Sequence, residues 1–182
     1  MTSKRLFPAS ALLALLVLIP ATASAQAFGF LGAGVTFPSG DYGDYANAGW
    51  LGSAGVGFPI GDAGLAVGAE AFYGQNNHDS PPSPKGDKTL PYGALGFVQY
   101  SFGNLDRLHP YVLGGAGLMV HKYSSDTFKG DSDTKFAYTF GAGVSYPLGG
   151  TTGLYGEGRY YGRDGTNFVG ILGGLYVTFG GK

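Results

Sequence analysis

Glu70, Glu157 and Arg159 are charged residues whose spacing could bring them together inside a fold. Glu157 and Arg159 are two residues apart, and side chains two apart on a β-strand point to the same face. A buried carboxylate must be paired and hydrogen-bonded. These residue types therefore predict an interior carboxylate–guanidinium network. We interpret this network as structural, and a proton or ion pathway is the less favoured alternative.

Other polar residues match no known pattern for a metal or phosphate site. His78 and His109 have no second ligand at the spacing of a zinc site. The glycine repeats do not lead into a helix, which a phosphate-binding loop requires. Five aspartates in predicted loops lack the ligand spacing of an EF-hand: Asp41, Asp44, Asp126, Asp131 and Asp133. We therefore expect no metal and no cofactor.

Eight short segments with an alternating pattern would have to position the charged residues. The composition, with 35 Gly, 13 Tyr and 13 Phe, opposes long helices and suits close-packed strands. The predicted strands are 28–37, 50–58, 65–73, 92–102, 111–122, 136–146, 153–161 and 167–179. The sequence therefore predicts an all-β fold of eight strands.

The connections between these strands alternate in length. Long polar loops are predicted at 38–48, 76–88 and 123–134, with a fourth, short loop at 163–166. The intervening turns at 59–64, 103–106 and 147–150 are short. This alternation is typical of an antiparallel up-and-down barrel with loops at one rim and turns at the other.

Glu70, Glu157 and Arg159 fall deep within their predicted strands. They lie on the strand face that carries Ser, Thr and Gln, while the opposite face is apolar. A charge facing lipid at mid-depth would cost about 2–4 kcal/mol. The partition therefore predicts a transmembrane barrel with polar groups inside and apolar groups outside. Because an eight-stranded barrel is just wide enough for side chains to fill it, we expect no open lumen.

The first 25 residues have the pattern of a secretory signal peptide. Lys4 and Arg5 precede an apolar stretch, and Ala23 and Ala25 form a small-x-small cleavage site. We therefore expect a cleaved leader at 1–25 and one barrel domain at 26–182. The chain has no cysteine for a disulfide, and its formal net charge of −1 argues against nucleic acid as a partner.

Residues 28–179 resemble the small eight-stranded outer-membrane barrels of Gram-negative bacteria, the OmpA- and OmpX-like porin-family class. The resemblance is carried by the cleavage site, the Gly-x-Gly rhythm (Gly32/Gly34, Gly55/Gly57, Gly141/Gly143) and an aromatic-ended last strand. It implies location in the outer membrane, contact with its lipid and lipopolysaccharide, and recognition of the last strand by the barrel-assembly machinery. Gly174, Val177 and Phe179 fit that assembly signal, although Gly180, Gly181 and Lys182 follow it.

The function favoured by the resemblance is a non-enzymatic structural or surface-interaction protein whose extracellular loops could meet a ligand. A soluble lipocalin-like barrel and a narrow channel remain alternatives. A lipid A-modifying hydrolase is a further alternative, because His121 and Ser124 lie near a predicted rim. The lipid A deacylases carry His-x-Ser on one strand, whereas the spacing here would put the two side chains on opposite faces.

Overall fold

The computed structural model is a closed barrel of eight antiparallel strands, as the sequence predicts. It describes residues 26–78, 86–103, 107–125 and 130–180. The strands are β1 (Ala27–Ser39), β2 (Ala46–Ile60), β3 (Leu65–His78), β4 (Lys88–Ser101), β5 (His109–Ser124), β6 (Ser132–Gly149), β7 (Thr152–Arg163) and β8 (Thr166–Phe179). Each strand pairs with its neighbours in chain order. In the described part of the chain no helix is long and apolar enough to cross a membrane.

The barrel closes between its first and last strands. β1 and β8 pair along their full lengths, from Ala27 opposite Phe179 to Ser39 opposite Asn167. Closure leaves no free sheet edge, so every strand has two partners for its backbone hydrogen bonds. The rim where β1 begins and β8 ends, which also holds the strand ends on either side of residues 61–64, 102–108 and 150–151, is called the terminal rim below. The opposite end, with connections 40–45, 79–87, 125–131 and 164–165, is called the loop rim.

Several strands extend further towards the loop rim than the sequence predicts. β2 begins at Ala46 instead of residue 50, and β6 begins at Ser132 instead of residue 136. The predicted long loops are therefore shorter than expected, and the alternation in connection length is weak. The physical reason is that a strand standing in water beyond the lipid can be polar on both faces. Such a segment continues the hydrogen-bonded ladder without an apolar period that sequence reading could detect.

The apolar surface of the barrel faces outward. Phe136 is 65% exposed, Val144 44% and Leu118 42%, each within a hydrogen-bonded strand. Together with other large apolar side chains, including Leu31, Ile171 and Leu175, they form a belt around the molecule. A soluble domain would bury this face, so the exposed belt supports the predicted inside-out arrangement.

The interior is less polar than the sequence analysis predicts. A layer of buried side chains crosses the lumen above the middle of the barrel: Leu51, Phe72, Leu95, Met119, Tyr161, Phe168 and Leu172. Tyr42, in a short 3₁₀ turn at Gly40–Tyr42, folds inward over this layer at the loop rim and is 1% exposed. The apolar layer therefore closes the barrel towards the loop rim.

Candidate functional site

The structure brings Glu70, Glu157 and Arg159 together in the lumen. Arg159 forms an ion pair with Glu70, and its Nη2 lies 2.6 Å from Oε1 of Glu157. The hydroxyl of Tyr111 donates a hydrogen bond of 2.9 Å to Oε2 of Glu157. The three charged side chains are at most 4% exposed. They form what we call the ion cluster.

The ion cluster connects opposite walls of the barrel. Glu157 and Arg159 project from β7, whereas Glu70 projects from β3, four strands away around the closed sheet. Arg159 therefore reaches across the lumen, and its guanidinium lies 5.6 Å from the centre of the Tyr161 ring. Oε2 of Glu70 and Nε of Arg159 have no hydrogen-bond partner among the described residues. Oε1 of Glu157 likewise has no hydrogen-bond partner there, although it is ion-paired with Arg159.

A chamber of about 560 Å³ lies between the ion cluster and the terminal rim. Glu157 and Arg159 form its floor, and Asp62 and His109 lie at its mouth. The prediction that side chains fill the whole barrel is therefore wrong for this half.

Cross-strand glycines make room for the aromatic rings that line the chamber. Six aromatic rings line it: Phe28, Phe30, Phe97, Tyr111, Tyr155 and Tyr176. Each ring stands directly opposite a glycine on a neighbouring strand, in the same order Gly57, Gly55, Gly68, Gly143, Gly174 and Gly153. A Cβ at any of these glycines would collide with the ring opposite. The rings therefore lie over glycine backbone. Three of them, Phe30, Phe97 and Tyr155, also meet edge-on inside the lumen.

A second polar cluster, which the sequence analysis missed, lies at the loop rim. Nε2 of His78 is 2.8 Å from the Thr89 hydroxyl, and Nε2 of His121 is 3.2 Å from the same oxygen. His121 also contacts the Thr166 hydroxyl through Nδ1. His78 was interpreted as isolated, but it follows Glu70 at an even spacing on β3. Extending the period of two beyond residue 73 would have placed it inside.

Arg163 was predicted in a loop but is buried at the end of β7. Its Nη1 donates to the carbonyl oxygen of Asp133 and its Nη2 to Oδ2 of the same residue, both at 2.9 Å. The Arg163 side chain is 3% exposed. Arg163 thus joins β7 to β6 at the loop rim. The signal for this position was again the even spacing, from Glu157 and Arg159.

Comparison with known proteins identifies the family. The model of the family described as "Outer membrane protein beta-barrel domain" matches residues 9–179. The chain belongs to this family. Its location is the outer membrane, where the exposed apolar belt meets lipid. A comparison with curated protein sequences finds no significant relative.

Solved outer-membrane barrels share the fold at low sequence identity. The Neisserial surface protein A is 17% identical with a TM-score of 0.66, over 85% of this chain and 97% of that one. Ail of Yersinia pestis, solved in complex with the heparin analogue sucrose octasulfate, is 13% identical with a TM-score of 0.62, over 86% of this chain and 100% of that one. OprG from Pseudomonas aeruginosa is 12% identical with a TM-score of 0.59, over 87% of this chain and 97% of that one. These similarities concern the fold.

The residues considered for hydrolysis are kept apart in this family member. β5 continues through both His121 and Ser124, so their side chains point to opposite faces. His121 instead contacts two threonine hydroxyls in the interior. A hydrolase needs its base within hydrogen-bond reach of its nucleophile, and these two side chains do not meet that requirement.

The candidate metal ligands do not form a metal site within the described residues. No group of three or more His, Cys, Asp or Glu side chains there could hold a metal ion. Asp133 is occupied by Arg163 and Lys135, and His109 lies at the terminal rim, remote from His78. Asp126 lies outside the described residues.

The exposed Lys135–Asp164 pair at the loop rim gives a pH prediction. The Lys135 ammonium donates a hydrogen bond of 2.7 Å to Asp164, which lowers the pKa of that carboxyl. Because the folded pKa is depressed, the associated stability is present above the pKa of the unfolded chain and is lost as pH falls through the folded pKa. We expect Lys135→Gln to raise the Asp164 pKa in a carboxyl NMR titration. Added salt should also raise the Asp164 pKa in the unaltered protein, because salt screens the attraction to Lys135. An unchanged Asp164 pKa in the Lys135→Gln variant would contradict the pairing.

Proposed function

We propose that this barrel is a non-enzymatic outer-membrane protein that anchors in lipid and presents its loop rim to the cell exterior. The observation that carries this proposal is the combination of a lipid-facing belt with a lumen closed above its middle. Leu51, Met119 and Phe168 are fully buried in the closing layer. Such a molecule has no continuous path for solutes, and the strand ends at its loop rim would stand above the membrane.

The proposal includes partners that follow from this position. Outer-membrane lipid and lipopolysaccharide would surround the belt. The barrel-assembly machinery would recognise β8, whose Val177 and Phe179 face outward near the terminal rim. A leader at residues 1–25, cleaved before Gln26, would bring the chain across the inner membrane; these residues lie outside the described part. Ligands of the loop rim would be extracellular molecules or surfaces.

Surface labelling tests the orientation. One epitope tag is inserted after Pro82, in the connection between β3 and β4, and a matched tag is inserted after Asp62, in a turn of the terminal rim. We expect antibody to label intact cells carrying the first tag, and to label the second only after the outer membrane is permeabilised. The reverse pattern would overturn the orientation. Folding of both insertions is checked by the heat-dependent mobility shift of folded barrels.

Conductance tests the closed lumen. We expect the purified barrel to show no steady current in a planar bilayer, because the apolar layer crosses the lumen. A stable open conductance would favour a narrow channel instead. Assay of lipid A acyl chains with and without the gene tests the remaining enzymatic alternative, and we expect no difference.

A further inference from the structure

We propose that the chamber at the terminal rim binds a small organic cation with an aromatic or branched-alkyl body. The proposal concerns a different end of the barrel from the loop rim and does not depend on what the loop rim contacts. A volume of about 560 Å³ lies within the range of small-molecule sites. The chamber also has the composition of such sites, with apolar walls and a few polar groups that converge at one end.

The walls are preorganised for an apolar body. Each of the six rings faces a glycine across the ladder, as described above, so the ring lies close against the wall and cannot move further back into it. Phe30 also packs edge-on against Phe97 and Tyr155, at centroid distances of 6.0 and 6.1 Å. Rings held in this way lose little freedom on binding, which lowers the cost of association.

The floor selects for positive charge. Glu157 and Arg159 line the chamber, and Glu70 pairs with Arg159 beside it without lining it. With two carboxylates and one guanidinium, the ion cluster carries a formal net charge of −1. The cluster is removed from water, where a charge acts on a ligand more strongly than at a surface. Aromatic faces add to the same preference, because their negative quadrupole attracts cations. An anion would be repelled by the carboxylates and by the aromatic faces, and only Arg159 would attract it.

Access is from the terminal rim. Asp62 adds a negative charge at the mouth, and Gln26 also lines the chamber. The amino group produced by cleavage before Gln26 would offset the Asp62 charge. The charge preference of the chamber is therefore decided at its floor. The apolar layer around Leu51 and Met119 closes the other end. A ligand would therefore enter and leave on the side of the membrane that the terminal rim faces.

The test uses the folded barrel in lipid nanodiscs and three probes of one shape. Benzyltrimethylammonium is the cation, neopentylbenzene its neutral isostere and phenylmethanesulfonate the anion. Binding is followed by the amide NMR shifts of residues in the chamber, such as Tyr111 and Glu157, and empty nanodiscs give the partition into lipid. We expect saturable shifts confined to the chamber, with the cation bound at least ten-fold more tightly than the isostere.

Two variants separate the floor from the walls. Glu157→Gln should weaken binding of the cation at least five-fold and leave the isostere nearly unchanged. Ser145→Phe, which adds a ring to the chamber wall and changes no residue of the ion cluster, should remove binding of both. Lys122→Gln, an exposed charge change at the loop rim, is the matched control and should change neither.

The proposal is overturned by any of three results. They are equal affinity for the cation and its isostere, tighter binding of the sulfonate, and shifts that lie outside the chamber. If Glu157→Gln does not give a folded barrel, the three-probe comparison on the unaltered protein and the Ser145→Phe variant still decide the outcome.

Discussion

Replacing Arg159 with alanine is expected to lower the stability of the folded barrel by about 3–5 kcal/mol, the usual cost of breaking a buried ion pair. The side chain is 4% exposed and faces two carboxylates. Its removal leaves Glu70 and Glu157 buried without a countercharge and cuts the connection between β3 and β7. The measurement is equilibrium unfolding by urea in lipid vesicles, followed by the mobility shift of the folded form.

The control for Arg159→Ala separates the buried charge from charge in general. Lys122→Ala removes an exposed cation at the loop rim and should change the free energy of unfolding by less than about 0.5 kcal/mol. We propose that the ion cluster has a structural role. Equal stability of the Arg159→Ala variant and the unaltered protein would contradict that proposal.

Gly34→Ala is expected to impair closure of the barrel more than any other conservative glycine substitution on β1. A Cβ at this position would overlap the backbone carbonyl of Ile171 on β8. The obstacle is backbone across the closing seam, so no side-chain rotation can relieve it. Overpacking of this kind costs about 1–3 kcal/mol. We expect slower folding into vesicles and an unfolding midpoint at lower urea concentration.

Gly158→Ala is the matched control, because nothing lies within 4 Å of a Cβ built there. It adds a methyl group at a lipid-facing position of β7 without a collision, and should leave stability unchanged or slightly raised. A loss of stability in Gly158→Ala as large as that in Gly34→Ala would mean that glycine content in general, and not the close approach at the seam, limits closure.

The strands and their facing were predictable because one physical rule governs both. The mid-strand partition of Glu70, Glu157 and Arg159 from Val144 and Leu118 follows the pleat period of two, and the cost of charge in lipid fixes which face is inside. The structure confirms the eight-stranded closed barrel. The same rule would have placed His78 and Arg163 inside, had it been followed into the polar strand ends.

The chamber and the apolar layer were not predictable from that rule. A period of two tells which residues face inward but not which of them meet across the lumen. That depends on strand register. Phe28 opposite Gly57 leaves space, whereas Tyr161 and Phe168, stacked at a centroid distance of 4.9 Å, fill it. Both arrangements use inward aromatic residues, so composition alone predicted a uniform filling.

The extent of the loops was overestimated because polar composition was taken as the mark of a loop. Asn76 and His78 are polar, yet they are fully buried at the loop-rim end of β3. Asn76 donates a hydrogen bond of 2.9 Å to the Thr36 hydroxyl. Predicting this bond from the sequence would require knowing that the two side chains meet inside the barrel. Composition alone does not distinguish polar residues that satisfy one another inside a barrel from polar residues in water, whereas the period of two along the strand does.

The inside-out arrangement is tested most directly by a nitroxide scan of β6. The chain has no cysteine, so single cysteines from residue 138 to 145 can each carry a spin label without other changes. In nanodiscs we expect residues 138, 140, 142 and 144 to be accessible to oxygen and protected from a water-soluble nickel reagent. The label at 145, in the chamber, should show the reverse. Val144 protected from oxygen while residue 145 is lipid-accessible would contradict the arrangement on which everything above rests.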